Sequence, residues 1–403
     1  MRLTAQPSGS HLGYCTNIHA GEQWSELFPL LQRYVPQVKQ RISPDHDFGL
    51  GLRASMASIT ALQDPSSLAQ FKDWLQAENV YVFTINGFPY GAFHGEQVKA
   101  LVYRPDWSET QRLSYTCAIA DTLAALSPPD NYGSISTVPG TFRQWNTAEK
   151  TARIVHNLLQ CVAHCVSIKQ RTDVTIAVAL EPEPACMLET VDDVVNFFQT
   201  HLYVKDTIQA LAKLCDCNLR DAEAALRTHL GVCYDICHAA VEFEDPLHAI
   251  RSMEAAGIPL VKLQLSSALS LPHVNTQTLK SLEQFDEPVY LHQVVEQHNG
   301  TLTRYNDLPM AIAAYEQKKT KYDHETQWRV HFHVPVFLDT LEHFGTTQAQ
   351  LAAVLEAHAQ TPLAPHLEVE TYTWDVLPDQ YKVEDVGQAI ARELNWVSQR
   401  LSQ

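Results

Sequence analysis

Short apolar runs alternate with amphipathic stretches along most of the chain. An apolar run of roughly four to eight residues reads as a buried strand, and an apolar stripe of period near 3.6 reads as a helix. "HLGYCTNIH" (His11 to His19) opens as a strand, "FGLGLRAS" from Phe48 is a second and "VYVFTING" from Val80 a third. "GSISTVPGT" is the fourth, "VTIAVALEPEP" the fifth, "GVCYDICH" the sixth, "PLVKLQLSS" the seventh and "HLEVETYTW" the eighth. Helical stretches lie between them. In "DPSSLAQFKDWLQAEN", Asp64 caps, Pro65 suits the first helical position, and Leu68, Phe71 and Leu75 form the stripe. Asp245 and Pro246 start another helix that stops at Gly257, and a closing helix covers Glu384 to Leu401.

Strands and helices in strict alternation predict a parallel sheet, and eight such units close a barrel. The expected class is α/β, a (β/α)8 TIM barrel spanning residues 1–403 as one domain. Residues 271–340 break the rhythm. "PVYLHQVVEQHNGTLTRYNDLP" and "WRVHFHVPVF" hold strand-like runs, with an Asn299-Gly300 turn signal between two of them. This segment reads as an insertion after strand seven, a β-hairpin lid over the barrel mouth.

Composition narrows the function. The chain has 403 residues, and its formal net charge of −17 excludes a basic nucleic-acid groove. The N-terminus has no apolar signal region, and no apolar run approaches the length of a membrane span. Nine cysteines at irregular spacing, without a CxxC, read as reduced thiols of a cytoplasmic protein. Cys161 and Cys165 share a helix face and read as core.

In such a barrel the chemistry sits at the C-terminal ends of the strands. Polar residues collect there. Glu181 ends strand five, Asp235 and His238 end strand six, Gln264 ends strand seven and Glu370 ends strand eight. His331 and His333 share one face if extended. Carboxylates, imidazoles and an amide converging on one rim suit a divalent cation. Each has a plainer reading as well: a salt-bridge partner for Glu181, a mutual hydrogen bond for Asp235 and His238, polar filling for Gln264. His19, Asn86 and His94 are candidates for substrate binding or for capping loops, and "FPYGAFHG" has the composition of a substrate loop or of an ordered turn.

"GVCYDICHAAVE" (Gly231 to Glu242) resembles the sixth-strand signature of the xylose isomerase-like barrels, which include sugar isomerases and epimerases and the AP endonuclease 2 relatives. The resemblance implies Glu, Asp, His and Glu around one metal. The matching positions are Glu181, Asp235, Gln264 and Glu370, with His238 and Glu242 at further positions of the pattern. "HLGYCTNIHAGEQW", "VYVFTINGFPYGAFHG" and "GSISTVPGTF" resemble the metabolite traffic family EboE, over almost the whole chain. That resemblance implies a bacterial gene cluster that moves a small metabolite.

Gln264 stands where the superfamily carries histidine, and this tilts the expected ion toward Mn2+ or Mg2+, with Zn2+ as the alternative. Asn86 and Val138 stand where the endonucleases carry histidines, which argues against a trinuclear zinc site. The expected activity is a metal-dependent isomerase or epimerase. Glu181 and Glu370 would be the proton-transferring residues, and His19, Asn86, His94, His238, Glu242, His331 and His333 would contact substrate. The alternative is a non-catalytic carrier of the small metabolite, working with other proteins of the same cluster.

Overall fold

The computed structural model describes residues 1–3, 9–93, 98–318, 326–382 and 384–402. Seven of the eight apolar runs are β1 (His11–Tyr14), β2 (Phe48–Arg53), β3 (Val80–Asn86), β4 (Tyr132–Thr137), β5 (Thr175–Leu180), β6 (Leu230–Asp235) and β7 (Leu260–Leu265). Five short strands follow: β8 (Leu269–Leu271), β9 (Val294–His298), β10 (Thr301–Tyr305), β11 (Gln327–Val330) and β12 (Gly345–Thr346). The eighth run is β13 (His366–Val369).

β1 to β7 and β13 make one parallel eight-stranded sheet, in the order β1-β13-β7-β6-β5-β4-β3-β2. Cys15 bridges Gly51 of β2 in parallel, so the sheet curls into a nearly closed barrel with helices around it. The fold is the expected α/β (β/α)8 barrel. Strand one is shorter than its apolar run. Beyond Tyr14 the Thr16 hydroxyl takes the Arg53 backbone N–H, and Thr16–Ile18 turns into a 3-10 helix that carries Asn17 to the mouth.

Local chemistry sets the helix limits. The Asp64 side chain accepts the Ser67 N–H, and Pro65 occupies the first turn, where its missing donor is no loss. Asp245 caps Pro246–Ala255 in the same way, and that segment ends before Gly257, whose φ of +67° favours glycine. Cys161 and Cys165 lie on the buried face of Ala148–Thr172. All nine cysteines are free thiols.

Period-two alternation lines the barrel interior with the less expected side chains. Lys262 Nζ lies 2.6 Å from Glu368 Oε2, both fully buried, and donates across the barrel to Ser136 Oγ at 3.3 Å. Gly51 makes room for this pair: a Cβ there would stand 1.5 Å from Glu368 Oε1. Toward the N-terminal end His366 packs on Phe83 and bonds Ser134 Oγ at 2.7 Å. Toward the C-terminal end, the same inward rows place Gln264 above Lys262 and Glu370 above Glu368.

The five remaining strands form an antiparallel sheet, in the order β10-β9-β11-β8-β12. β9 and β10 are a hairpin whose two-residue turn, Asn299-Gly300, has φ of 50° and 77°. Arg304 on β10 ties this sheet to the loops after β5 and β6, reaching Glu189 Oε2 at 3.0 Å and Glu242 Oε2 at 2.7 Å. Among the described residues no helix is long and apolar enough to cross a membrane.

Candidate functional site

The floor of the mouth is built from strand ends. Glu181 follows β5, and its N–H donates to the Thr137 carbonyl at 3.0 Å. Asp235 ends β6 and caps the short helix Ile236–Val241, its Oδ1 accepting the His238 N–H at 3.0 Å and the Ser266 hydroxyl at 2.7 Å. Gln264 on β7 is in register with Asp235 on one side and Glu368 on the other. Glu370 follows β13, and its Oε1 accepts from Asn17 Nδ2 at 2.7 Å and Asn86 Nδ2 at 2.9 Å.

Glu181, Asp235 and Glu370 offer oxygens that all lie within 4.8 Å of one another. Glu181 Oε2, Asp235 Oδ2 and both amide atoms of Gln264 are buried without a hydrogen-bond partner among the described residues. Burial, then the neighbouring carboxylates, push the Glu181 and Glu370 carboxyls well up. Burial also acts to raise Asp235. The imidazoles of His238 and His333 and the bonds from Ser266 and the His238 N–H outweigh it and hold this carboxyl low.

Three imidazoles stand beside the carboxylates. His238 Nδ1 donates to the Pro182 carbonyl at 2.9 Å and His333 Nδ1 to the Glu370 carbonyl at 3.0 Å. Gln293 donates its amide to Tyr103 Oη and the Pro184 carbonyl at 2.9 and 3.1 Å, which leaves its Oε1 to accept from His331 Nδ1 at 2.7 Å. These partners fix the tautomers, so each Nε2 carries a lone pair, as in histidines prepared for metal. The Nε2 atoms of His238 and His333 lie 3.8 and 3.9 Å from Asp235 Oδ2. Nε2 of His331 lies 3.2 Å from Nε2 of His333, a spacing at which two lone pairs repel unless a cation stands between them. Burial holds His238 at about 4 and keeps His331 and His333 low, so all three are neutral near pH 7. Asp235, His238 and His333 form a second metal-type group that shares its carboxylate with the first.

Other sequence candidates are placed differently. Asn86 lines the pocket and positions Glu370. His19 stacks on Tyr34 with its ring centroid at 4.9 Å and bonds Tyr14 Oη at 3.1 Å, away from the pocket lining. Glu242 is taken by Arg304 and is also absent from that lining. His94 lies outside the described residues.

Four polar residues went unread in the sequence. Glu183 accepts from Tyr103 Oη at 2.7 Å, and burial pushes it up to about 8. It lies two residues past Glu181, so the strand's own period could have found it. Lys262 stands two before Gln264 and was legible in the same way. Asn17 sits in a short 3-10 helix and Gln293 in the segment just before β9, where no period marks them.

The fold and the floor define a (β/α)8 barrel with a cluster of metal-type donors at its C-terminal mouth. No protein-family model matches the chain, and neither does any curated protein. Solved structures do. A xylose isomerase-like TIM barrel protein from Mycobacterium smegmatis, in complex with magnesium, superposes with a TM-score of 0.52 at 9% identity, covering 98% of this chain and 97% of that one. An IOLI protein with a binding zinc atom gives 0.49 at 12%, covering 97% of each chain. An L-ribulose 3-epimerase gives 0.47 at 11%, covering 98% of this chain and 95% of that one. At such identities the likeness establishes the fold alone, and the first of the three carries it.

Proposed function

We propose that the chain is a divalent-metal-dependent isomerase or epimerase of a small hydroxycarbonyl metabolite, such as a sugar or polyol derivative. The observation that carries this reading is the convergence of unpartnered donors. Glu181 Oε2, Asp235 Oδ2 and the Gln264 amide are buried at one level of the barrel beside Glu370. Several kcal/mol oppose burying such groups bare, and roughly that much is recovered when a cation binds them. The donors therefore fit a metal. Glu181, Asp235, Gln264 and Glu370 would hold it, and their oxygen-rich character favours Mn2+ or Mg2+, with zinc in reach through the imidazoles.

A bound divalent cation polarises a carbonyl and its adjacent hydroxyl. The chain's own groups do the rest. One of Glu181 and Glu370 takes the proton α to the carbonyl and the other returns it. Asn17 and Asn86 fix Glu370 by one oxygen and leave the other to act. His238 and His331 line the pocket, where their Nε2 lone pairs accept substrate hydroxyls. Tyr290, Leu291 and His331, from the segment 271–340, also line it, which supports that segment as a lid.

Placement in a metabolite-trafficking cluster, with partner proteins from that cluster, rests on the motif resemblance alone, and neither a family model nor a curated protein supports it. A second reading, a carrier that binds without turnover, is favoured by Gln264, a weaker ligand than the histidine it replaces. Solvent deuterium entry separates the two. With Mn2+, hydroxyketones that bind should gain deuterium at the carbon α to the carbonyl, and Glu181→Gln with Glu370→Gln should abolish the gain. Binding without exchange in the wild type would sink the isomerase reading and put the carrier reading first.

A further inference from the structure

We infer that the ligand of this pocket is an uncharged hydroxycarbonyl compound with a flat, aryl-type apolar group and no phosphate or carboxylate. The inference rests on the proposed metal-binding floor for the polar end of the ligand. The apolar end is argued from the walls.

Phe93, Tyr290 and Tyr372 form a triangle with all three centroid separations at 5.1 Å. They come from three separate parts of the chain: the loop after β3, the segment before β9 and the turn after β13. Tyr372 also packs on His333 at 4.7 Å, which sets the triangle against the floor. Phe88 packs on Tyr103 at 5.6 Å and lines the same pocket. Rings already packed on one another lose little freedom when a ligand ring joins them.

Charge points the same way. Glu181, Glu183 and Glu370 line the pocket. Lys99 is the only Lys or Arg among the described lining residues, and its ammonium is held by Asp307 Oδ2 at 2.8 Å and the Glu287 carbonyl at 3.3 Å. A phosphate or carboxylate reaching past the floor would meet acids and no unpaired Lys or Arg among the described lining residues. A hydroxyl-rich ligand end is also poorly served. Phe88, Phe93, Val98 and Val102 present no side-chain donor or acceptor, so hydroxyls against them would be buried unpaired.

Three probes test this by calorimetric titration of the Mn2+-loaded full chain. 2-Hydroxyacetophenone, hydroxyacetone and dihydroxyacetone phosphate share one hydroxymethyl ketone unit and differ in a phenyl, methyl or phosphonooxymethyl group. The phenyl probe should bind at least about tenfold tighter than the methyl probe, and the phosphate ester more weakly than either. A Phe88→Ala/Phe93→Ala variant with unchanged Mn2+ affinity should lose the phenyl advantage and keep the methyl affinity. If that variant does not fold, the wild-type ratios decide alone. Equal phenyl and methyl affinities, a tightest-binding ester, a phenyl advantage retained in the variant, or no binding by any probe overturns the inference. Repeating the titrations on chelator-stripped protein separates the two readings. Affinities indifferent to Mn2+, with the phenyl preference intact, would remove the metal reading and leave the ligand class standing.

Discussion

Asn17 and Asn86 spend their amide donors on one oxygen of Glu370, and they illustrate how single residues tune the floor. Removing such a support typically lowers metal affinity about 10- to 100-fold. Asn17→Ala is therefore expected to weaken Mn2+ binding by that order while the protein stays folded, as read by metal titration beside circular dichroism. Unchanged affinity would make Asn17 a structural residue only. At this scale the sequence was partly legible. Glu181, Asp235, Gln264 and Glu370 could be read because each closes an apolar strand, where a polar residue has few other reasons to stand. The imidazole pair could be read from its spacing, although β11 ends at Val330 and both histidines lie just beyond it. A strand-six pattern cannot show that Arg304, far along the chain, pairs with the Glu242 carboxylate.

Elements are joined by buried charge. Lys262→Met leaves Glu368 without its cation inside the barrel, and removing one partner of such a buried pair destabilises by about 3–5 kcal/mol. The double change Lys262→Met/Glu368→Leu should recover most of this, as measured by urea unfolding; a double variant as unstable as the single one would contradict the account. Arg304 plays the matching part between the two sheets. Arg304→Ala strands the buried Glu242 and should make trypsin cut within 269–346 well before the barrel, whereas an unchanged cleavage order would show that packing alone holds the second sheet. All eight barrel strands were readable from alternation, because buried parallel strands are continuous apolar runs, whereas the helices Trp24–Ile42 and Gln348–Gln360 were not picked out. The second sheet was readable only as a hairpin at Asn299-Gly300. Its other pairings, such as β8 with β11, join runs far apart in sequence, and no local signal encodes them.

Several carboxyls of the molecule are buried away from a cation. Burial pushes Glu183 up to about 8 and Glu244 and Glu393 up to about 7. These groups stabilise the fold when protonated, so their contribution is complete below the ordinary carboxyl value of 4.5 and is lost as pH rises through the raised values. Buried His238 and His358, held at about 4, act in the opposite sense: their contribution is complete above 6.5 and is lost as pH falls toward 4. Above pH 6.5 the imidazole contribution is complete; burial holds the Met1 ammonium at about 4, which opposes the carboxyls up to pH 8, but the raised carboxyls outnumber it, so the Tm of chelator-stripped protein should fall from pH 6.5 through 8. Saturating Mn2+ should raise Tm more at the alkaline end, because the cation competes with protons for Glu181 and Glu370. A flat profile in the stripped protein would contradict these shifts. The most direct test of the metal-binding barrel is titration of Mn2+ into the stripped wild type and into a Glu181→Gln/Asp235→Asn variant. The account predicts one saturable site in the wild type that the variant loses. A wild type that binds no better than the variant at roughly millimolar Mn2+, where only weak sites fill, would contradict it.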